Sequence, residues 1–246
     1  MEMTRAIKVW AHRGASGYRP ENTMEAFELA IRQGADGIEL DVHLSADGEL
    51  IVMHDETVDR VTAEHGLIQD LTLAQLKKMK VSTPAEPKGI YRIPTLGEVL
   101  DLMRTTQMMV NIELKNSICF YPGMEEKILA LVKEMQMQEQ MIYSSFNHHS
   151  LLRLKELDAH VQTGILFGDG WVDPAGYAKK LGVDAVHPAV YHLQYPEFTQ
   201  QVKQNGLKMH VWTANRREDI QMVKQSGADA VITNYPDLAL EVCENK

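Results

Sequence analysis

One junction recurs in this chain: QGADGIEL beginning at Gln33, LGVDAVHP at Leu181 and SGADAVIT at Ser226. Each follows a helical run (MEAFELAIR, DPAGYAKKL and EDIQMVKQ), places Gly where a helix closes in a left-handed cap, and then enters a β-rich stretch. A related junction, QNGLKMHVWT, follows EFTQQVK with Gly206 at the stop. Helices that repeatedly hand over to buried-looking strands argue for parallel pairing, which needs such crossovers.

Strands of this kind are IKVWA, GIELDV, MMVNIEL, MIYSSF, TGILF, DAVHPA, KMHVWT and DAVITN. Eight parallel strands alternating with helices predict an α/β fold, a (β/α)8 TIM barrel, with an open doubly wound sheet as the alternative. The length of 246 residues fits one barrel domain spanning 1–246. In a barrel, function sits at the C-terminal strand ends, where His12, Arg13, Glu39, Asp41, Glu113, Lys115, Thr233 and Asn234 collect.

LDVHL and ELIVMH are separated by Ser45-Ala46-Asp47-Gly48, and Asp-Gly between apolar runs is a hairpin signal. A two-residue loop pairs Ala46 with Glu49 and predicts His54 opposite Asp41. The antiparallel strand cannot join an all-parallel barrel, so it extends the second strand. Beyond it an insertion over about 56–92 is too long for an ordinary loop. It carries an expected helix at LTLAQLKKMK capped by Thr72 and ended by the proline-rich STPAEPKGIYRIP, and reads as a lid or substrate-selecting wall. TLGEVLDLM is expected to be the helix leading to the third strand.

Acids on apolar strands need a reason. Glu39 and Asp41 share one strand face about 7 Å apart, and Glu113 comes from a neighbouring strand. Such anions repel unless something positive lies among them. Oxygen-only donors favour a hard divalent cation, Ca2+ or Mg2+, with Mn2+ as a further choice. His12 and His54 end apolar runs and can act as base and acid. With Arg13 and Lys115 to neutralise phosphoryl oxygens, the set suits cleavage of a phosphate ester. Trp212 is expected to line the pocket, and Asn22 with Glu25 reads as a helix capping box.

With a net charge of -9 and no basic tract, a nucleic-acid footprint is not expected. Cys119 and Cys243 have no metal-type spacing and read as reduced thiols. MEMTRAIKVWA lacks a signal-type apolar region, and no apolar run approaches the length of a membrane span. The expectation is a soluble cytoplasmic protein without stable membrane anchoring.

WAHRGASGYRPENTMEAF, GIELDVHLSADGELIVMHDETVDRVT, IPTLGEVL, NIELK, HVWTAN and AVITNYPD resemble, in order and over nearly the whole chain, the glycerophosphodiester phosphodiesterases, in a short, single-domain bacterial-type form. The resemblance implies hydrolysis of glycerophosphodiesters to glycerol 3-phosphate and an alcohol. It implies His12 as proton acceptor, His54 as proton donor, Glu39, Asp41 and Glu113 as metal ligands, and Arg13 and Lys115 as phosphate contacts. It also implies that the glycerol 2-hydroxyl attacks first, giving a cyclic phosphate that water opens. The chain departs from the family pattern at Asn234, where an aspartate is frequent, and at Ala214, where a valine is common.

Other readings compete. The three acids could be structural partners of Arg13 and Lys115. Lys115 could be a Schiff-base amine, although nearby acids would keep it protonated. The barrel could bind phosphodiesters without turning them over, or act on lysophospholipids as a lysophospholipase D.

Overall fold

Two residues of the repeated junction build the handover from helix to strand. Gly34, Gly182 and Gly227 cap their helices with a left-handed backbone at φ 79°, 72° and 72°, a conformation that a Cβ would strain. Two residues later, Asp36, Asp184 and Asp229 accept hydrogen bonds from Val9 N (2.9 Å), Thr163 N (2.8 Å) and Met209 N (2.9 Å) on neighbouring strands. Each carboxylate therefore ties a new strand to its parallel neighbour, a role that the spacing of the glycines alone does not reveal.

The computed structural model describes residues 7–83 and 86–244. Its strands are β1 (Lys8–His12), β2 (Gly37–Leu44), β3 (Leu50–Val52), β4 (Val81–Thr83), β5 (Glu86–Tyr91), β6 (Met109–Leu114), β7 (Met141–Ser145), β8 (Gln162–Phe167), β9 (Ala185–Pro188), β10 (Lys208–Val211) and β11 (Ala230–Thr233). β1, β2 and β6 to β11 pair in parallel, and β1 bonds to both β2 and β11, so the sheet closes. Closure makes this the (β/α)8 barrel rather than the open sheet.

Helices α1 (Met24–Gln33), α2 (Leu73–Leu76), α3 (Leu96–Met103), α4 (Met124–Glu134), α5 (His148–Leu157), α6 (Pro174–Leu181), α7 (Pro196–Gln204), α8 (Arg217–Ser226) and α9 (Pro236–Glu244) complete the chain. Ile38, Leu40 and Val42 on one face of β2 join Phe27 and Ala30 of α1 in the main core. The opposite face of the strands fills the barrel interior, where Trp10, Ile142, Ala230 and Ile232 cluster. This alternation leaves Glu39 and Asp41 facing inward. No helix of the described residues is long and apolar enough to cross a membrane.

The hairpin forms with a shifted register. Val42 pairs with Val52 and Leu44 with Leu50, and Met53 N donates to Asp41 O at 3.1 Å. Met53, not His54, therefore faces Asp41. The loop takes one more residue than expected because Ser45 N bonds to Glu49 O while the Ser45 hydroxyl accepts from Glu49 N and donates to Asp47. Gly48 closes it at φ 78°, consistent with a three-residue hairpin loop.

The segment after β3 contains a 3-10 turn, α2 and the antiparallel pair β4–β5. Thr72 caps α2 in a capping box with Gln75, but the helix is shorter than LTLAQLKKMK. Lys78 and Met79 bond back only three residues, and Arg92 Nη1 takes the carbonyl of Met79 at 3.1 Å. Leu76, Met79 and Val81 can then reach a separate small core with Ile51, Met53, Val58, Ile68 and Ile93. Much of the proline-rich stretch is the β4–β5 pair; Pro84 and Ala85 lie outside the described residues, as does MEMTRA. Thr95 caps α3 in a second capping box, with Glu98, where TLGEVLDLM predicts a helix.

Candidate active site

Strand register brings the acids together. His12 pairs with Glu39 across β1 and β2, and Asp41 with Glu113 across β2 and β6. Glu39, Asp41 and Glu113 are all buried, with one oxygen from each lying within 4.8 Å of the others. Burial pushes the Glu39 carboxyl well above its ordinary value, with Asp41 and Glu113 adding repulsion. Burial also opposes ionisation of Asp41, but Arg13 and Lys115 outweigh it and hold this carboxyl low.

The cations approach from two loops. Arg13 Nε lies 3.2 Å from Asp41 Oδ2, and the Arg13 backbone N donates to Glu39 Oε2 at 3.1 Å. Lys115 Nζ lies 2.9 Å from Glu113 Oε1 and 3.7 Å from Asp41 Oδ1. Burial disfavours its ammonium, yet Glu113 and Asp41 raise its pKa. A lysine kept protonated in this way is not the free amine that Schiff-base chemistry requires.

Asn22 does not cap α1. Thr23, whose oxygen accepts from Ala26 N, caps α1. Asn22 instead takes a left-handed backbone at φ 56° and donates from Nδ2 to Asp41 Oδ2 at 2.8 Å. Adjacent Asn and Thr offer two equivalent capping signals, so the sequence alone does not separate cap from site residue.

Each of the two histidines is held by its Nδ1. His12 Nδ1 lies 2.7 Å from Asn234 Oδ1, and its Nε2 is 3.9 Å from Glu39 Oε2. Burial, with Arg13 adding to it, lowers the His12 pKa to about 4 against the pull of Asn234 and Asp41. His54 reaches the site from beyond the end of β3 rather than through strand pairing. Its Nδ1 is 2.6 Å from Asp55 Oδ1, and buried His43 bonds through Nε2 to the His54 carbonyl at 3.1 Å.

These groups line a cavity of about 130 Å³. His12, Arg13, Glu39, His54, Asn111 and Glu113 form its polar side, while Phe146, Leu166, Trp212 and Ile232 form an apolar wall beside His187. Trp212 is thus at the cavity, with Nε1 donating to His187 O at 2.7 Å. Lys115 and Asp41 lie next to the lining acids rather than on the wall. Asn111 is a cavity residue that the sequence does not single out, because an amide on an apolar strand carries less signal than an acid.

The donor set fits a hard divalent cation. The three oxygens converge without Cys or His among them, and Asp41 Oδ1 is buried without a hydrogen-bond partner among the described residues. A polar half carrying two histidines and an apolar half suits a small phosphodiester with a short carbon chain.

Residues 12–238 match the family model described as the Glycerophosphoryl diester phosphodiesterase family. The chain is 42% identical over 235 residues to a glycerophosphodiester phosphodiesterase of Caldanaerobacter subterraneus subsp. tengcongensis, covering 95% of this chain and 96% of that protein. It is 38% identical over 240 residues to one of Bacillus altitudinis, covering 96% and 98%. An Oleispira antarctica phosphodiesterase solved with the product sn-glycerol-3-phosphate superposes with TM-score 0.83 at 29% identity, over 97% of each chain. A Silicibacter pomeroyi structure superposes with TM-score 0.89 over 98% of this chain and 94% of that one; at 23% identity it is similar in fold.

Proposed function

The chain belongs to the glycerophosphoryl diester phosphodiesterase family of phosphodiester hydrolases, and from that membership we propose that it releases glycerol 3-phosphate from small glycerophosphodiesters by metal-assisted chemistry with two histidines. The observation that carries the reading is that His12, His54, Glu39 and Glu113 line one cavity. The product seen with the Oleispira antarctica phosphodiesterase is the product expected here.

Glu39, Asp41 and Glu113 would hold Ca2+, Mg2+ or Mn2+, and a divalent cation bound there supplies positive charge to the phosphoryl oxygens. Arg13 shares in that neutralisation at the cavity wall, and Lys115 adds charge from behind Glu113. His12 Nε2 accepts the proton of the attacking glycerol 2-hydroxyl, whose oxygen forms a bond to phosphorus. The bond from phosphorus to the alcohol oxygen breaks, and His54 gives its proton to that oxygen. In the second step the roles reverse: His54 takes a proton from water, whose oxygen bonds to phosphorus, the bond from phosphorus to the glycerol 2-oxygen breaks, and His12 gives its proton to that oxygen, leaving glycerol 3-phosphate. The apolar wall of Phe146, Leu166, Trp212 and Ile232 receives the carbon side of the glycerol.

Turnover of glycerophosphocholine by protein dialysed against EDTA, then resupplied with a divalent cation, tests this. The expected products are glycerol 3-phosphate and choline, formed only with the cation. Phosphocholine and glycerol as products would place the cleaved bond elsewhere. Binding without turnover would make this a silent barrel, and turnover indifferent to EDTA would remove the cation.

A further inference from the structure

No described side chain between residues 56 and 92 lines the catalytic cavity, yet this segment delivers one cation to the edge of the site. Arg60 grips two carboxylates at once. Its Nε donates to Asp55 Oδ2 at 2.7 Å and its Nη2 to Asp55 Oδ1 at 3.0 Å. Its Nη1 and Nη2 also donate to Glu21 Oε2 at 3.0 Å and Oε1 at 2.7 Å.

Both acids lead onward into the site. Asp55 Oδ1 accepts from His54 Nδ1 at 2.6 Å, and Glu21 Oε1 accepts from Arg13 Nη1 at 3.0 Å. Arg13 Nε lies 3.2 Å from Asp41 Oδ2. An ionic chain therefore runs from Asp41 through Arg13, Glu21, Arg60 and Asp55 to His54. It joins a proposed cation ligand to the proposed proton donor.

The backbone carrying Arg60 is fixed. Val58 is fully buried in the small core under the insertion. Val58 N bonds to Gly66 O at 3.0 Å, Ile68 N to Glu56 O at 2.9 Å, and the Thr62 hydroxyl to Val58 O at 2.9 Å. Burial opposes ionisation of Asp55, but Arg60 and His54 hold its carboxyl below the ordinary range. Half-exposed ion pairs add little to stability, so a two-carboxylate clamp on a pinned loop calls for another account.

We propose that Arg60 is a positioning residue for phosphodiester cleavage, fixing Asp55 against His54 Nδ1 so that His54 Nε2 is the nitrogen that gives its proton to the leaving alkoxide. The inference rests on the hydrolase reading with His54 as proton donor. An imidazole that loses its carboxylate partner also loses its fixed tautomer and orientation. The planar fork of an arginine can span both acids, which a lysine ammonium cannot.

Two substrates with the same glycerophosphoryl half separate this role from a structural one. Choline leaves glycerophosphocholine as an alkoxide that needs a proton, whereas 4-nitrophenol leaves its glycerophosphoryl ester as a stable phenolate. In Arg60→Ala and Arg60→Lys, kcat on glycerophosphocholine should fall about ten- to hundredfold with KM nearly unchanged. On the nitrophenyl substrate the single-turnover release of 4-nitrophenolate, which precedes the step in which His54 takes a proton from water, should slow by less than about threefold. Added methylguanidine should restore part of the Arg60→Ala loss. Equal losses on both substrates, or no loss on either, would overturn the proposal. Should Arg60→Ala not fold, Arg60→Gln and Asp55→Asn carry the same comparison. A wild-type protein inactive on both substrates would overturn the hydrolase reading and this inference with it.

Discussion

Asn234 Oδ1 sits 2.7 Å from His12 Nδ1, joining the last barrel strand to the first. With the amide oxygen accepting, the proton resides on Nδ1, and the lone pair of Nε2 faces the cavity. Asn234 is itself held by its backbone N, which donates to Asn215 Oδ1 at 2.8 Å. The position where an aspartate is frequent in the family pattern is thus filled by an amide whose oxygen meets His12 Nδ1 without adding charge. Asn234→Ala should lower kcat about ten- to hundredfold, with cation affinity unchanged. Steady-state kinetics beside calorimetric cation titration checks this; a change in affinity alone would contradict it.

His12→Ala and His54→Ala should each cut turnover by about two to four orders of magnitude while leaving cation binding intact. Glu39→Gln combined with Asp41→Asn should instead bind no cation and lose turnover with it. A near-normal rate in either histidine variant would remove that residue from the mechanism.

Gly164 permits a contact inside the barrel. A Cβ there would overlap His187 Nε2, which lies 2.9 Å from His210 Nδ1. Gly164→Ala should destabilise the fold by about 1–3 kcal/mol through overpacking, read as a lower midpoint in urea. An unchanged midpoint would show that the histidine pair can move aside.

The same pair makes stability depend on pH. Burial lowers His187 from 6.5 to about 3, and burial together with His187 lowers His210 well below 6.5. Above pH 6.5 these histidines are neutral in both folded and unfolded chains. Below it the unfolded chain takes up protons that the folded chain refuses, so stability falls with pH. The pair's contribution is fully present above 6.5 and is lost as the pH drops toward 3, at about 1.4 kcal/mol per pH unit for each histidine. Denaturant midpoints that stay flat from pH 8 to 5 would contradict this.

The barrel is legible in the chain because its signals are local and repeated. Gly34, Gly182 and Gly227 announce helix ends, and the apolar runs after them announce strands. The acids stand out because Glu39, Asp41 and Glu113 interrupt those runs. Register is less legible: the one-residue difference in the hairpin turns on Ser45 bonding across to Glu49, which residue type does not dictate. Asn22, Asn234 and Arg60 reach Asp41, His12 and Glu21 across separations that local sequence does not reveal, whereas Asp55 meets its chain neighbour His54. Their capping, turn and surface chemistry looks the same whether or not a site is nearby.

The most direct measurement is anomalous diffraction from crystals soaked in Mn2+ and glycerol 3-phosphate. The account predicts one strong manganese peak ligated by Glu39, Asp41 and Glu113, with the phosphate beside it within reach of His12 and His54. A peak away from the three carboxylates, or a phosphate bound outside the cavity, would contradict it.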